Sequence, residues 1–586
     1  MGIKNIHPHV GIDYTAKKRV RSVVTENTAA TMFAPFVSNR GPENVAYKVY
    51  SNAEFISTYG QLEFSEQGQV VLNIGNWLNA GGAVLAYRMT KMPYSFESNI
   101  TNNCTLKYLQ TEEDTYYHTI NGLLTDLEVT DPAGTIGTLA VDTDGVIKVG
   151  DDELYVDFKE LVKTDIRLTN AWGTAAIEEE DAKINALARA KYSGTFYNGM
   201  FIKVKQTSKD VFKIEVYQEY NEGKGKNLIE SFSGRTKDNY SLAISSSEYI
   251  GDLLISYDWL NSLDDFVRTS PKELAIQLAD AVDTTIEYGD KPTVPVTGTY
   301  YFVDAIADAI NNGLKDQLSV KCDFILDAGY SEAVKNKIID LLINYDDTVR
   351  VRDDIIFIAD RYKLYYKKNV IPEKVESYTA SITDASYETR LLSVYEQYLT
   401  TEDIYSKTAG REVYVTPTYF LAGLIPYNER THGVFYPHAG KRRGVINDAL
   451  SLSENPLPDT KDEWYAARYN YIEKDSTAIQ FMSQSTFQQE DTALRFLNNS
   501  RSLNVISRNV ERIGRTYLHE MNTVTSLNNL NAAITTYMND WVQNRALSKC
   551  EVIVYADEYD DTLVHIILNI RFAGTIEIIS VEINID

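Results

Sequence analysis

Asp323-Phe324-Ile325-Leu326-Asp327, then a stripe opened by Ser331 (Val334, Ile338, Leu341, Leu342), then Asp354-Ile355-Ile356-Phe357-Ile358-Ala359-Asp360 decide the fold. The two short apolar runs read as buried strands, and the spacing of three and four residues between them predicts a helix. Strand, helix and buried strand make a βαβ crossover, which requires a parallel sheet with helices packed on it. The expected fold class is α/β and multidomain: a βαβ-containing core domain with β-rich inserted domains and extended N- and C-terminal strand arms.

Upstream, Val70, Ile74, Trp77 and Leu78 predict a helix ending at Asn79-Ala80-Gly81-Gly82, where paired glycines fit a C-terminal cap, and Ala83 to Met89 reads as a strand. From 96 to 186 the turn signals Asp131-Pro132-Ala133-Gly134, Asp142-Thr143-Asp144-Gly145 and Gly150-Asp151-Asp152 punctuate short β-like runs, predicting an inserted β-rich domain. A second β-rich domain follows over 187–300, with Phe201-Ile202-Lys203-Val204 and Phe212 to Tyr217 as strands. Near the end two helices are expected, at 491–519 and 526–546. The second carries Leu527, Leu530, Ile534, Tyr537, Met538, Trp541 and Val542 at helical spacing, a stripe that belongs to a core rather than to a cofactor. The expected division is an arm at 1–19, core at 20–95 and 301–450, inserts at 96–186 and 187–300, a C-terminal α/β domain at 451–573 and an arm at 574–586.

Both ends alternate like strands with one buried face. Ile579, Val581, Ile583 and Ile585 fall on one side of the last eight residues, and Val10, Ile12 and Tyr14 alternate near the start. Val564, Ile566, Leu568, Ile570 and Phe572 form another alternating run, but the apolar parity flips at Ile578 and Ile579. A one-residue phase change needs a break, and Gly574 is the expected hinge. From pattern alone two readings stay open: the terminal strands pair within their own chain, or they add to sheets of other subunits.

A chain of 586 residues exceeds one ordinary core, and usual domain sizes suggest roughly three to five units. Lys plus Arg number 57 against 82 acids, a net charge of −25 that disfavours nucleic acid and anionic membrane as partners. No run approaches the ~20 apolar residues of a membrane span, and Met1 to Asn5 leads into Pro and His rather than a signal-peptide core, so a cytoplasmic site of synthesis is expected. Cys104, Cys322 and Cys550 are far apart with no CxxC, which indicates neither a disulfide framework nor zinc. The 41 tyrosines suit half-wet interfaces and carbohydrate clefts alike.

Catalytic signatures are sparse. His438 to Arg443 lacks the glycine and hydroxyl of a phosphate loop, because Phe435 and Arg442 stand there; His432 and His438 lack an accompanying acid ligand set. Asp353-Asp354, Asp560-Asp561 and Glu178 to Asp181 are acidic runs that could serve glycoside hydrolysis only at the right separation, and in an acidic chain such runs are expected on solvated faces. No catalytic, cofactor or metal residue is assigned. Lys441, Arg442 and Arg443 are the densest positive run, either an exposed loop or a docking point for a neighbouring copy or inner partner.

Taken together, several segments resemble the tail sheath proteins of contractile bacteriophages: Trp77 to Met89, Lys191 to Gly199, the stretch from Thr416-Pro417 to Ile446 with Ala422-Gly423, Gly433-Val434, Pro437, Ala439-Gly440 and Gly444-Val445, and Leu503-Asn504-Val505-Ile506 before the two last helices. The resemblance spans nearly the whole chain and leaves 96–186 without a counterpart. It implies a homo-oligomer of hexameric rings stacked as a helical cylinder around a tail tube protein, bound to baseplate and tail terminator proteins, assembled in the host cytoplasm and located in the virion tail. Contraction would drive the tube through the bacterial envelope for genome ejection. It also implies that Val10, Ile12, Tyr14, Ile579, Val581, Ile583 and Ile585 form subunit interfaces by strand exchange. The alternatives are a sheath of a related contractile injection device, an acidic carbohydrate-active enzyme and a monomeric surface-binding module.

Overall fold

The computed structural model describes residues 29–90 and 104–575, apart from short internal stretches of which 157–166, 170–187, 235–246, 254–272 and 376–386 are the longest. The strands of its core sheet are Thr31–Phe36 (β1), Tyr47–Val49 (β2), Ala83–Arg88 (β3), Phe324–Leu326 (β4), Ile356–Asp360 (β5), Leu392–Tyr395 (β6) and Tyr469–Asn470 (β7). Side by side they run β2-β3-β1-β4-β5-β6-β7, and every pairing is parallel except β2 with β3. The expected crossover is there: Glu332–Leu342 links β4 to β5, and Ile325 sits opposite Phe357. All residues of β1, β4 and β5 are buried, which is why their sequence shows no polar alternation.

The helices that position the rest are Val70–Asn79 (α1), Phe302–Leu314 (α2), Glu332–Leu342 (α3), Thr418–His432 (α4), Leu497–Arg515 (α5) and Val524–Gln543 (α6). α1 ends as its glycines predict. Gly81 takes a φ of +89°, and a Cβ on Gly82 would meet the Trp77 indole nitrogen at 2.2 Å, so the ring can lie against the turn and donate to the Ala30 carbonyl at 3.1 Å.

Between β3 and α2 lie the inserted sheets. Strands between Cys104 and Val156 form a seven-stranded antiparallel sheet. A five-stranded sheet combines Met200–Ser208, Val211–Tyr220, Gly225–Gly234 and Glu273–Ala279 with Arg167–Thr169, a strand drawn from the earlier segment. After β7 come α5, α6 and an antiparallel hairpin of Leu547–Ala556 (β8) and Val564–Phe572 (β9). The alternating residues Val564, Ile566, Leu568, Ile570 and Phe572 join Ile534, Met538 and Trp541 of α6 in a second core, separate from the core around the parallel sheet.

α5 belongs to both. Ile506, Val510 and Ile513 face the second core, while Arg501, Asn504 and Arg508, spaced three and four residues apart, face the amino ends of β4, β5 and β6. Arg501 forks onto Glu429 of α4 at 2.8 and 3.1 Å and reaches Asp323 at 2.9 Å. Arg508 bonds Asp323 and the Cys322 carbonyl, and holds Asp354 through Nε at 2.5 Å. Arg352 completes Asp354 at 2.8 and 2.9 Å, and Asn504 donates to the Asp354 carbonyl at 2.9 Å while accepting from Arg390 at 2.6 Å. Asp323, Asp354 and Arg390 stand one or two residues before β4, β5 and β6. The expected solvated face at Asp353-Asp354 is therefore corrected: Asp354 is 2 % exposed and held by two arginines.

Arg352, Arg501 and Arg508 match the three carboxylates of Asp323, Asp354 and Glu429, and Arg390 adds a further buried cation that bonds Asn504. Burial alone would raise the Asp323 and Asp354 carboxyls, but the guanidiniums outweigh it and hold both well below the usual carboxylate range. Because the folded values lie below the unfolded ones, the stability from these two acids is full above ~4 and is lost only as pH falls through the depressed folded values. Arg508→Met should cost about 3–5 kcal/mol in urea unfolding at neutral pH, because it strands Asp323 and Asp354 beside one guanidinium each; a loss under about 1 kcal/mol would contradict this role.

Candidate functional site

Open parallel sheets bind ligands outside the carboxyl ends of their strands, where the strand order reverses. Here that point lies between β1 and β4, and the chain fills the neighbouring space with its own side chains. Gln69 at the start of α1 donates to Thr416 and Thr418 at 2.9 and 3.0 Å and accepts from the Thr416 amide at 2.7 Å. Asn73 donates to the Asp327 carbonyl at 3.0 Å, and the Thr418 hydroxyl lies 2.7 Å from the same carbonyl and 3.0 Å from Asp360 Oδ2. Lys335 of α3 bonds Asp327 and the carbonyls of Asp360 and Tyr362, the latter two at 2.8 and 3.1 Å. Three acceptors match the three protons of an ammonium and hold the Lys335 head group in place. Burial and the adjacent Asp327 push the Asp360 carboxyl well above its ordinary range. This is a packed polar plug, and no group of three or more potential metal ligands occurs among the described residues.

The surfaces left to act are strand edges. The edge strand Glu412–Val415 of a small three-stranded sheet is covered by Asn369, whose amide donates to the Glu412 carbonyl at 2.6 Å and accepts from the Tyr414 amide at 2.9 Å. The opposite edge strand, Ala449–Leu452, is broken by a register shift beside Leu450. β8 and β9 differ. They pair over ten and nine residues, one face rests on α6, and among the described residues neither edge meets a third strand.

The basic run forms the crest of a loop. Gly440 donates to the Phe481 carbonyl at 2.7 Å and Phe481 to the Gly444 carbonyl at 2.8 Å, fixing its base. Arg443 turns inward, its guanidinium 4.7 Å from the Tyr436 ring centre and its Nε 3.1 Å from the Pro437 carbonyl. Lys441 pairs with Asp475 at 2.6 Å, and Arg442 is exposed without a partner among the described residues. His438 below the loop is buried, and burial, with Arg501 and Arg443 adding, pushes its imidazole down to about 3; it is neutral and structural. His432 is exposed, edge-on to Tyr436 at 6.0 Å.

Val10, Ile12, Tyr14, Ile579, Val581, Ile583 and Ile585 lie outside the described residues. Gly574 follows β9, is exposed, and a Cβ there would meet nothing within 4 Å. What sequence reasoning missed is the pair Arg501 and Arg508; their seven-residue spacing on one helical face was the available signal.

No family model matches the chain, and no curated protein does. Among solved structures, a sheath tail protein from Listeria innocua is 11% identical with a TM-score of 0.49, over 94% of this chain and 96% of that one. A sheath tail protein from Desulfitobacterium hafniense is 9% identical with a TM-score of 0.44, over 96% of this chain and 100% of that one. The helical sheath of the anti-feeding prophage in its contracted state is 15% identical with a TM-score of 0.39, over 54% of this chain and 78% of that one. No helix among the described residues is long and apolar enough to cross a membrane.

The plug makes a paired prediction. Lys335→Met should cost about 3–5 kcal/mol in urea unfolding, because Asp327 loses its cation. A raised folded pKa means that Asp360 binds its proton more tightly in the fold, so its contribution falls as pH climbs from ~4 towards the folded value. Asp360→Asn should therefore fold normally and weaken less than the parent as pH rises above about 5; an identical pH slope in both proteins would contradict a raised Asp360 pKa.

Proposed function

We propose that this chain is the subunit of a contractile tail sheath, polymerising as hexameric rings in a helical cylinder around a tail tube and contracting to drive that tube through a bacterial envelope for genome ejection. Its partners in this reading are further copies of itself, the tube, the baseplate and the tail terminator, and its place is the virion tail. The sequence resemblance supports the reading along nearly the whole chain. The observation that carries it is the β8–β9 hairpin: long edges, unpaired among the described residues, stand directly before Ala573-Gly574-Thr575, which leads into the strand-patterned end of the sequence. An edge left open and a spare strand beside it are donor and acceptor for exchange between subunits.

The energetics suit assembly by accretion. Four aliphatics of the terminal strand contribute roughly 6 to 12 kcal/mol if buried. Ordering eight backbone residues costs about 8 to 16 kcal/mol. One arm alone therefore gains little, and free subunits carrying −25 charges stay apart, whereas several arms engaging at once on a growing ring make addition favourable. Once exchanged, strands keep subunits linked while the bodies re-pack about the Gly574 joint during contraction.

Negative-stain imaging of purified full-length protein should reveal hollow striated cylinders. A chain ending at Gly574 should remain dispersed at the concentration where the parent assembles. Long cylinders from the truncated chain would rule out donation by the C-terminal strand.

A further inference from the structure

The far tip of the C-terminal unit is made of two turns, one joining α5 to α6 and the other joining β8 to β9. They are tied together by Asn522, whose amide donates to the Asp561 carbonyl at 2.7 Å, and Thr523 caps α6 by accepting from the Ser526 amide at 3.2 Å. On this fixed tip Met521 is 79 %, Val524 75 % and Tyr559 95 % exposed. Exposed large apolar side chains normally stand singly; three on two linked turns mark an interaction surface. Its rim is acidic, with Glu520, Glu558 and Asp561 all exposed.

The loop that carries the basic run starts from the other end of α6. Tyr436, which carries Arg443, follows Phe435, and Phe435 packs on Trp541 in the last turn of α6 with ring centres 6.1 Å apart. The tip sits at the first turn of that helix, so Val524 lies about 26 Å along it from Trp541, where Phe435 packs. Opposite charges at opposite ends cannot meet within one chain. They can meet between copies, head to tail, the geometry that generates rings and open helices.

We propose that Arg442 of one subunit, and Lys441 on exchanging its exposed pair with Asp475, dock on the acidic rim around Met521, Val524 and Tyr559 of another copy of this chain. The proposal rests on the sheath reading above and adds a second, electrostatic contact to strand exchange. In a polymer of strongly acidic subunits, a cation pair placed against an acidic rim fixes register and offsets part of the repulsion.

The test is charge reversal in full-length protein, with assembly followed by light scattering and imaging. Lys441→Glu with Arg442→Glu, or Glu558→Lys with Asp561→Lys, should each raise the concentration needed for assembly about tenfold and leave the melting temperature unchanged. Co-assembly of the two double variants should restore the parent's concentration. As a check independent of assembly strength, polymers mixed from Arg442→Cys and Glu558→Cys chains should form disulfide-linked dimers on oxidation, beyond the background of either chain alone. Normal assembly by both double variants without such dimers overturns this contact and leaves the sheath reading standing. A parent chain that forms no cylinder overturns the sheath reading, and the contact with it.

Discussion

The buried ion lattice under α5 is the constraint on which the rest of the structure depends. Without it the chain would hold two hydrophobic cores joined by a helix with one greasy face. With it, that helix is bound on its polar side to the amino ends of three adjacent strands through Asp323, Asp354 and Arg390. Removing a buried charge from water is expensive, so the lattice tolerates only the arrangement in which each guanidinium meets its carboxylates. This gives orientation more than net stability: α5, and with it α6 and the hairpin, has one angle relative to the sheet.

The two ends of the parallel sheet are spent in different ways. At the amino end the acids and arginines anchor α5. At the carboxyl end, where many α/β proteins keep a ligand crevice, Gln69, Asn73, Lys335, Thr416 and Thr418 close the space with hydrogen bonds to one another and to Asp327 and Asp360. At the periphery, among the described residues, the chain presents two unpaired hairpin edges, an apolar tip and a basic crest. Asn369 guards one small-sheet edge and a bulge blunts another, so the open hairpin is a selective omission.

Much of this architecture was legible in the residues. β4 and β5 could be read because both faces of a parallel strand are buried, leaving unbroken apolar runs, and α1 because Gly81-Gly82 marks its end. β9 showed itself by strict alternation. The polar face of α5 could not be read, since Arg501, Asn504 and Arg508 look like an ordinary wet face; their partners lie up to 186 positions away, as with Cys322 and Arg508. Asp354 was misassigned to solvent for the same reason. The basic run was visible as charge, but only the fold separates the inward Arg443 from the outward Lys441 and Arg442. Charge type is local in sequence, whereas burial and partnership are not.

The central claim is that the hairpin edges stand open in the free subunit and are closed by strands of other subunits. Amide hydrogen exchange, measured residue by residue on dilute dispersed protein and again on assembled protein, addresses it directly. The account predicts slow exchange in β1, β4 and β5 in both states, and outward-facing amides of β8 and β9 that exchange quickly when free and slow sharply on assembly. Equal protection of those edge amides in the dilute protein would contradict it, because their own chain would already be covering them.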